Sequence, residues 1–123
     1  MAEVLPDLDL VEGMTLGQLL DHSGGLAEFM GAGFDRTLRE DWDRTWTAQE
    51  VLDRVATLVP PLGAPGTVHA YSNTHFVVAG MVVEEVTGLS PADNLQARIT
   101  GPLGLTDTAY RPGGPDPVTG FAL

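Results

Sequence analysis

Cysteine and lysine are both absent from this chain of 123 residues. Without cysteine, the chain has no disulfide framework, no thiol nucleophile and no thiolate metal site. All six basic residues are arginine, and 17 acidic residues outnumber them, so the formal net charge is −11. Because nucleic acids and anionic membranes attract positive charge, this composition disfavours both as partners.

Long apolar segments are absent as well. No run approaches the ~20 apolar residues that a membrane-spanning helix needs. Residues 1–4 contain no basic residue and begin no signal-peptide core, so we expect no export signal in this chain, and the sequence leaves the compartment undetermined. The hydrophobic fraction of 43% is that of a globular protein, and the length corresponds to one domain or part of one.

Two capping boxes predict the first two helices. The segment Thr15 to Gln18 opens a short helix, which the Ser23-Gly24-Gly25 turn ends. Its inward-facing residues should be Leu16, Leu19 and Leu20. The segment Thr47 to Glu50 opens a second helix that runs to about Val59, since Pro60-Pro61 cannot continue it. Helical spacing predicts that its apolar face consists of Val51, Leu52, Val55, Ala56 and Val59.

A third helix should begin at Asn73 or Thr74 and end at about Val86, with Gly88 in the position of a C-terminal cap. Its valines would also suit a strand, but the length of the run and its end signals favour a helix. Because it is apolar nearly all round for three turns, we expect it to be a buried central helix. The segment from Leu26 to Trp46 has no clear pattern.

The last helix should begin at the Ser90-Pro91-Ala92-Asp93 segment, where serine caps and proline takes the first helical position. It should end near Thr100, because Gly101-Pro102 follows. Residues 111–120 hold three prolines and three glycines and should form a loop. Residues 121–123 could begin a strand.

The tripeptide Tyr71-Ser72-Asn73 lies where a proline- and glycine-rich loop enters the third helix. A tyrosine and an asparagine two residues apart at such a junction can project a phenol and an amide into one cleft. This arrangement suits acyl transfer, in which a proton is moved and a carbonyl is held. In the structural alternative, Asn73 caps the helix and Tyr71 is half-buried under the loop.

Four ordered segments carry a resemblance to a known family. They are Met14 to Leu26, which resembles a T-L-x-x-L-L-x-H-x-S-G-L pattern; Pro65 to Asn73, which resembles P-G-x-x-x-x-Y-S-N; Gly80 to Leu89, which resembles a G-x-x-x-E-x-x-T-G helix end; and Pro102 to Thr108, which resembles P-L-G-M-x-D-T. Together they resemble the serine β-lactamase and penicillin-binding-protein superfamily, most closely class C β-lactamases, D-alanyl-D-alanine carboxypeptidases and related esterases.

The resemblance implies a mainly α chain: the helical part of an α/β hydrolase fold, without most of its antiparallel sheet. Residues 1–123 would form one partial domain, with 112–123 a loop leading toward a missing strand. It also implies an acyl-enzyme mechanism in which the serine of a Ser-x-x-Lys motif attacks a carbonyl. Tyr71 matches the tyrosine that helps to move the proton, and Asn73 matches the asparagine that holds the substrate amide. Ser72 matches a position that is not the nucleophile.

Departures from the family pattern limit this interpretation. No Ser-x-x-Lys can occur in a chain without lysine, and the resemblance places that motif upstream of Thr15 and the closing Lys-Thr-Gly strand beyond Leu123. Gly24 stands where serine is usual. We therefore expect an internal fragment that is inactive alone. The parent enzyme would take a β-lactam, a D-Ala-D-Ala peptide or an ester, with no cofactor. The alternative is a non-catalytic helical module that binds a peptide or a partner chain.

The histidines and tryptophans have plainer explanations. Asp21-His22-Ser23 cannot be a catalytic triad, because consecutive helical residues point about 100° apart, and we expect His22 to bond backbone at the helix end. His69 and His75 should face solvent or the rim of the site rather than bind metal. Trp42 and Trp46 are predicted to anchor a charged surface around residues 35–43, with a place at the substrate rim as the weaker alternative.

Overall fold

The structure, a computed structural model, describes residues 3–8, 12–30 and 44–110. These residues form helices α1 (Leu16–Leu20), α2 (Ala48–Leu58), α3 (Asn73–Thr87) and α4 (Pro91–Leu95), and a π-helical turn (Gln96–Thr100) continues α4. No strand occurs within these ranges, which agrees with the predicted helical fold class. The predictions for Trp42 and for residues 111–123 lie outside the described residues.

The capping signals act as predicted. The Thr15 side chain accepts the backbone N–H of Gln18, whose side chain accepts the backbone N–H of Thr15 in return. Thr47 and Glu50 form the same reciprocal pair at the start of α2. The backbone N–H of Thr47, the guanidinium of Arg44 and the hydroxyl of Thr47 hold the pKa of Glu50 below its usual range. Both helix starts are therefore fixed by residues local in sequence.

The far end of the helical region also follows its local signals. Ser90 caps α4 with Pro91 in the first turn, and the helical backbone continues to Thr100, where the sequence predicts its end. Gly88 has φ +66°, the left-handed conformation that closes α3. None of the helices in the described ranges is both long enough and apolar enough to cross a membrane.

The main core lies where α1, α2 and α3 meet the loops. Leu19, Leu52 and Val78 are fully buried, one from each helix. Leu8, Met14 and Leu26 complete this cluster from the connecting segments. A second cluster unites Val51 and Val55 of α2 with Ala27. Residues from loops and helices therefore share one interior, which fixes where residues 22–28 lie against α3.

Three expectations about burial in the helices are wrong. Ala56, which the predicted apolar face of α2 includes, is exposed. Leu16 and Leu20 are about half exposed, so α1 buries only Leu19. Helix α3 is not buried all round, because Phe76 is 52% exposed and Val86 is 68% exposed. Its buried side chains form one stripe: Thr74, His75, Val78 and Val82. The apolar composition of α3 thus exceeds what its neighbours in the described structure cover.

A groove of about 660 Å³ lies along the uncovered side of α3 and α4. Its lining is almost wholly apolar and includes Leu16, Val83, Val86, Leu95 and Ile99. Neither Tyr71 nor Asn73 lines it, so it is separate from the candidate site described below.

Truncating one core side chain on α2 tests this packing. We expect Leu52→Ala to lower the free energy of unfolding by about 2–5 kcal/mol, because the removed methyl groups leave a cavity in a fully buried position. Leu58→Ala, on the same helix but 37% exposed, should cost about 1 kcal/mol or less. Urea unfolding followed by circular dichroism measures both. Equal losses for the two variants would contradict the described core.

Candidate active site

Residues 22–28, here called the clamp segment, run beside the loop that leads into α3. Three backbone N–H groups of that loop donate to carbonyl oxygens of the clamp segment at 2.8–3.0 Å: Leu62 to Gly25, Gly66 to Ser23 and Ala70 to His22. Gly25 has φ +80°, and a Cβ there would collide with the carbonyl oxygen of Gly63. Only glycine therefore allows this close approach.

The clamp segment also holds the N-terminus of α3. The carbonyl oxygen of Ala27 accepts hydrogen bonds from Ser72 Oγ (3.0 Å) and Thr74 Oγ1 (2.6 Å), and all three residues are buried. Ser72 Oγ also accepts the backbone N–H of Thr74 at 3.2 Å. Ser72 is thus the N-cap of α3, and the alternative that Asn73 caps this helix is wrong. The capping role of Ser72 leaves the Asn73 side chain available for other contacts.

Tyr71 and Asn73 lie side by side where α3 begins. The Tyr71 hydroxyl donates to Asn73 Oδ1 at 2.9 Å, so the phenol and the amide are adjacent. Tyr71 is 67% exposed, not half-buried under the loop. The phenol can therefore be reached by a molecule approaching from solvent, with the amide next to it.

Glu28 is a further member of the candidate site, and no sequence pattern predicted it. Its Oε2 accepts both the backbone N–H (2.6 Å) and the side-chain Nδ2 (3.0 Å) of Asn73. Its Oε1 accepts the backbone N–H of Met30 at 2.7 Å. Glu28 lies in the segment that had no pattern, 45 residues from Asn73. Only the tertiary structure brings the two together.

His22 supports the tyrosine from the clamp segment. Its Nδ1 accepts the backbone N–H of Ser72 at 3.4 Å, and its ring centroid lies 4.6 Å from that of Tyr71. The prediction that His22 bonds backbone is confirmed, although the backbone belongs to the Tyr-x-Asn tripeptide. Its φ of +61° is uncommon for a residue other than glycine. With this backbone conformation, the ring of His22 contacts the Ser72 backbone and the Tyr71 ring from the clamp segment.

Asp21 and Ser23 form hydrogen bonds with each other rather than with the His22 side chain. Ser23 donates both its hydroxyl (2.6 Å) and its backbone N–H (2.9 Å) to Asp21 Oδ1. These two bonds, the hydroxyl first, hold the pKa of Asp21 below its usual range. The Ser23 hydroxyl is therefore directed at a carboxylate, which agrees with the sequence argument against a triad.

His75 is fully buried, so the expectation that it faces solvent or the rim is wrong. Its Nε2 accepts the backbone N–H of Leu26 at 3.3 Å, while Nδ1 has no hydrogen-bond partner among the described residues. Burial, followed by the nearby His22, lowers the pKa of His75 below its ordinary 6.5. The folded protein thus favours the neutral imidazole. His69, in contrast, is exposed as expected.

Gly24 makes the space that His75 fills. A Cβ built on Gly24 would lie 2.8 Å from His75 Nε2 and 2.9 Å from Met14 Sδ. Any larger residue would have to displace a buried ring that is bonded to the clamp backbone. The glycine that departs from the family pattern therefore has a packing cause in this chain.

The remaining sequence candidates lie elsewhere. The Arg44 guanidinium lies 3.9 Å from the centroid of the Trp46 ring and forms an ion pair with Glu50 at 2.7 Å. Trp46 therefore packs beside the start of α2, and the predicted anchoring of the surface around residues 35–43 lies outside the described residues. In the ranges 3–8, 12–30 and 44–110, no group of three or more potential ligands is arranged for a metal ion.

Comparison with known proteins identifies the family. A sequence model named Beta-lactamase matches residues 7–120, and the chain belongs to this family. It is 30% identical over 100 residues to penicillin-binding protein 4* of Bacillus subtilis (strain 168) and 32% identical over 120 residues to penicillin-binding protein 4 of Amycolatopsis lactamdurans. These alignments cover 79% and 91% of this chain but 21% and 29% of the relatives. The predicted superfamily is confirmed.

Solved structures agree with this assignment. The D-stereospecific amidohydrolase from Streptomyces sp. superimposes with a TM-score of 0.73 at 33% identity, covering 85% of this chain and 34% of that one. The D-amino acid amidase from Ochrobactrum anthropi SV3, complexed with L-phenylalanine amide, gives 0.71 at 34% identity and covers 86% and 29%. The chain thus spans about a fifth to a third of the length of these proteins.

The burial of His75 predicts how the free energy of unfolding depends on pH. The unfolded chain should bind a proton at His75 near pH 6.5, whereas the folded chain binds it only at lower pH. Acid therefore favours unfolding, so the free energy of unfolding should fall as the pH decreases from about 6.5 toward 5. His75→Gln keeps an acceptor for Leu26 but cannot titrate, and should show a shallower dependence. Urea titrations between pH 5 and 7.5 measure this slope, with the exposed His69→Gln as the control substitution.

A steeper or unchanged slope in His75→Gln would contradict the burial of a neutral imidazole at this position.

The fit between Gly24 and His75 makes a second prediction. Gly24→Ala should destabilise the chain by about 1–3 kcal/mol, because the new methyl group overpacks a buried site. In a His75→Ala background the same substitution should cost clearly less, since the obstructing ring is gone. Thermal unfolding of the two single variants and the double variant gives the coupling free energy. Strict additivity would show that Gly24 and His75 do not share this space.

Proposed function

We propose that this chain is the helical, Tyr-x-Asn-bearing part of a serine hydrolase of the β-lactamase, D,D-carboxypeptidase and esterase type. The parent fold would be α/β, with residues 1–123 as one partial domain within it. Membership of the β-lactamase family and the length of the relatives support this proposal. The observation that carries it is the accessible Tyr71 hydroxyl bonded to the Asn73 amide at the start of α3.

The reaction would be acyl transfer through a covalent intermediate. A serine hydroxyl attacks the substrate carbonyl, the carbon–oxygen bond of the acyl-enzyme forms, and the carbon–nitrogen or carbon–oxygen bond to the leaving group breaks. The serine proton passes to the leaving group, and water then releases the acid. We assign Tyr71 to the proton transfer and Asn73 to holding the substrate amide. The hydrogen bond between the two side chains would place the proton-transferring phenol next to the amide that holds the substrate.

The serine and lysine of this chemistry are not among these residues. The chain has no lysine, so it contains no Ser-x-x-Lys motif. Ser72 is fully buried and engaged with Ala27, which argues against it as a substitute nucleophile. A positive charge beside a phenol favours its ionised form, so the lysine would support the proton transfer assigned to Tyr71. We infer that both groups are supplied from outside the 123 residues.

The substrate class that we propose is a small acyl compound with an amide bond. The solved neighbours include a D-amino acid amidase and a D-stereospecific amidohydrolase, and the curated relatives are penicillin-binding proteins. Amides of D-amino acids and peptides that end in D-Ala-D-Ala are therefore the first candidates, ahead of β-lactams and esters. A non-catalytic helical module that binds a peptide or partner chain is the contrasting hypothesis.

A chimaera tests the role of Tyr71. The matched part of this chain replaces the corresponding segment of the D-amino acid amidase, whose remaining residues supply a nucleophile. We expect hydrolysis of a D-amino acid amide, and Tyr71→Phe should lower kcat by about 10²–10⁴-fold, the usual contribution of a positioned acid or base. Tyr110→Phe, which changes the other tyrosine of the chain, should leave the rate unchanged. Steady-state kinetics with circular dichroism as a folding check measures both.

Two outcomes decide against this function. Full activity of the Tyr71→Phe chimaera would remove Tyr71 from the chemistry. A folded chimaera that neither hydrolyses the amide nor reacts with a fluorescent penicillin would favour the non-catalytic module. The unmodified 123-residue chain should remain unlabelled by the same penicillin, and labelling would show that it holds a nucleophile of its own.

A further inference from the structure

The carboxylate of Glu28 makes more contacts with Asn73 than the start of a helix requires. Ser72 already caps α3, and a carboxylate at this end needs only the backbone N–H of Asn73 for favourable placement at the positive end of the helix dipole. The second bond, from Asn73 Nδ2 to the same Oε2 at 3.0 Å, adds nothing to the capping of α3. It acts on the side chain that the proposed function assigns to the substrate.

Hydrogen-bond chemistry fixes the orientation of the Asn73 amide. An ionised carboxylate only accepts, so the group that faces Glu28 must be the NH₂ of the amide. The amide oxygen then faces the other way, toward Tyr71. Reversing the amide would place its oxygen 3.0 Å from a carboxylate oxygen. Both atoms are acceptors, so no hydrogen bond could form between them.

The orientation of the Asn73 amide in turn determines the direction of the hydrogen bond that Tyr71 makes. Because Asn73 Oδ1 can only accept, the Tyr71 hydroxyl must donate its proton along the 2.9 Å bond. Tyr71, Asn73 and Glu28 thus form one directed series of hydrogen bonds that ends on a carboxylate. The lone pairs of the exposed phenol oxygen remain open toward solvent, where a proton donor could approach.

We propose that Glu28 is a positioning residue: it locks the amide of Asn73 so that its oxygen orients the Tyr71 hydroxyl. The chemical part of this inference rests on the function proposed above, whereas the orientation itself does not. Glu28 is held for this task on its other side, where Oε1 accepts the Met30 N–H at 2.7 Å. The clamp segment fixes the adjacent carbonyl of Ala27.

The amide orientation can be measured directly by NMR. Asparagine occurs only at positions 73 and 94, so labelling the 123-residue chain with [¹⁵N]asparagine gives two side-chain NH₂ groups. Asn94 donates to Thr87, Leu89 and Ser90 and serves as the internal reference. In the wild-type chain we expect two well-separated Asn73 proton shifts. In Glu28→Ala the two shifts should converge, and exchange with water should accelerate by about tenfold or more.

Two further variants separate positioning from general stability. Glu28→Gln conserves shape but offers one acceptor oxygen, which cannot serve Asn73 and Met30 together, so the Asn73 signals should move in the same direction. Val82→Ala truncates a buried side chain of α3 nine residues from Asn73, so it lowers stability without changing a hydrogen bond of Glu28 or Asn73. It should leave the Asn73 pair in place. Unchanged Asn73 signals in Glu28→Ala, or an equal change in Val82→Ala, would overturn the proposal.

The amidase chimaera gives the functional readout. There, Glu28→Gln should lower kcat by about tenfold, because the tyrosine is less well oriented, and should also raise KM, because the Asn73 amide assigned to the substrate loses its fixed orientation. Val82→Ala should leave both constants unchanged. A chimaera without activity rejects the proposed function, yet the NMR result still decides the orientation. Altered Asn73 signals together with an unchanged kcat in an active chimaera would overturn the positioning role.

Discussion

The carbonyl oxygen of Ala27 is the point on which the described structure depends. It is buried and accepts two hydroxyl groups from the first turn of α3, so it joins the clamp segment to the helix that carries the site. Each such bond stabilises the fold by about 0.5–1.5 kcal/mol, but a buried carbonyl left without partners costs about 1–3 kcal/mol. Displacement of the clamp would therefore expose Ala27 and Glu28 together, and the geometry of Tyr71 and Asn73 would be lost with them.

Local signals in the sequence predicted the helices well, because their causes are local. The capping-box hydrogen bonds at Thr15 and Thr47 join residues three positions apart, and the left-handed Gly88 directly follows the last residue of α3. The tripeptide at Tyr71 was singled out by the family resemblance of the segments around it. The contact between its two side chains is local, and their catalytic roles remain a prediction.

Local sequence patterns could not predict which side chains are buried or which residues support the candidate site. Glu28 contacts Asn73 across 45 positions and His75 accepts from Leu26 across 49, so no pattern near either residue announces the contact. The outward position of Leu20 has a similar origin, since the five residues of α1 are too few to define a face by periodicity alone.

The hydrogen bonds of the clamp segment to the loop and to α3 join residues 37 to 50 positions apart in sequence, and this spacing has a consequence for how the site forms. Helices such as α2 can form within microseconds from neighbouring residues, whereas contacts of this separation must wait for the closure of a long loop. The pairing of Tyr71 with an oriented Asn73 is therefore a late product of folding. During folding, the tripeptide would be present in the chain well before the hydrogen bonds that orient Tyr71 and Asn73 had formed.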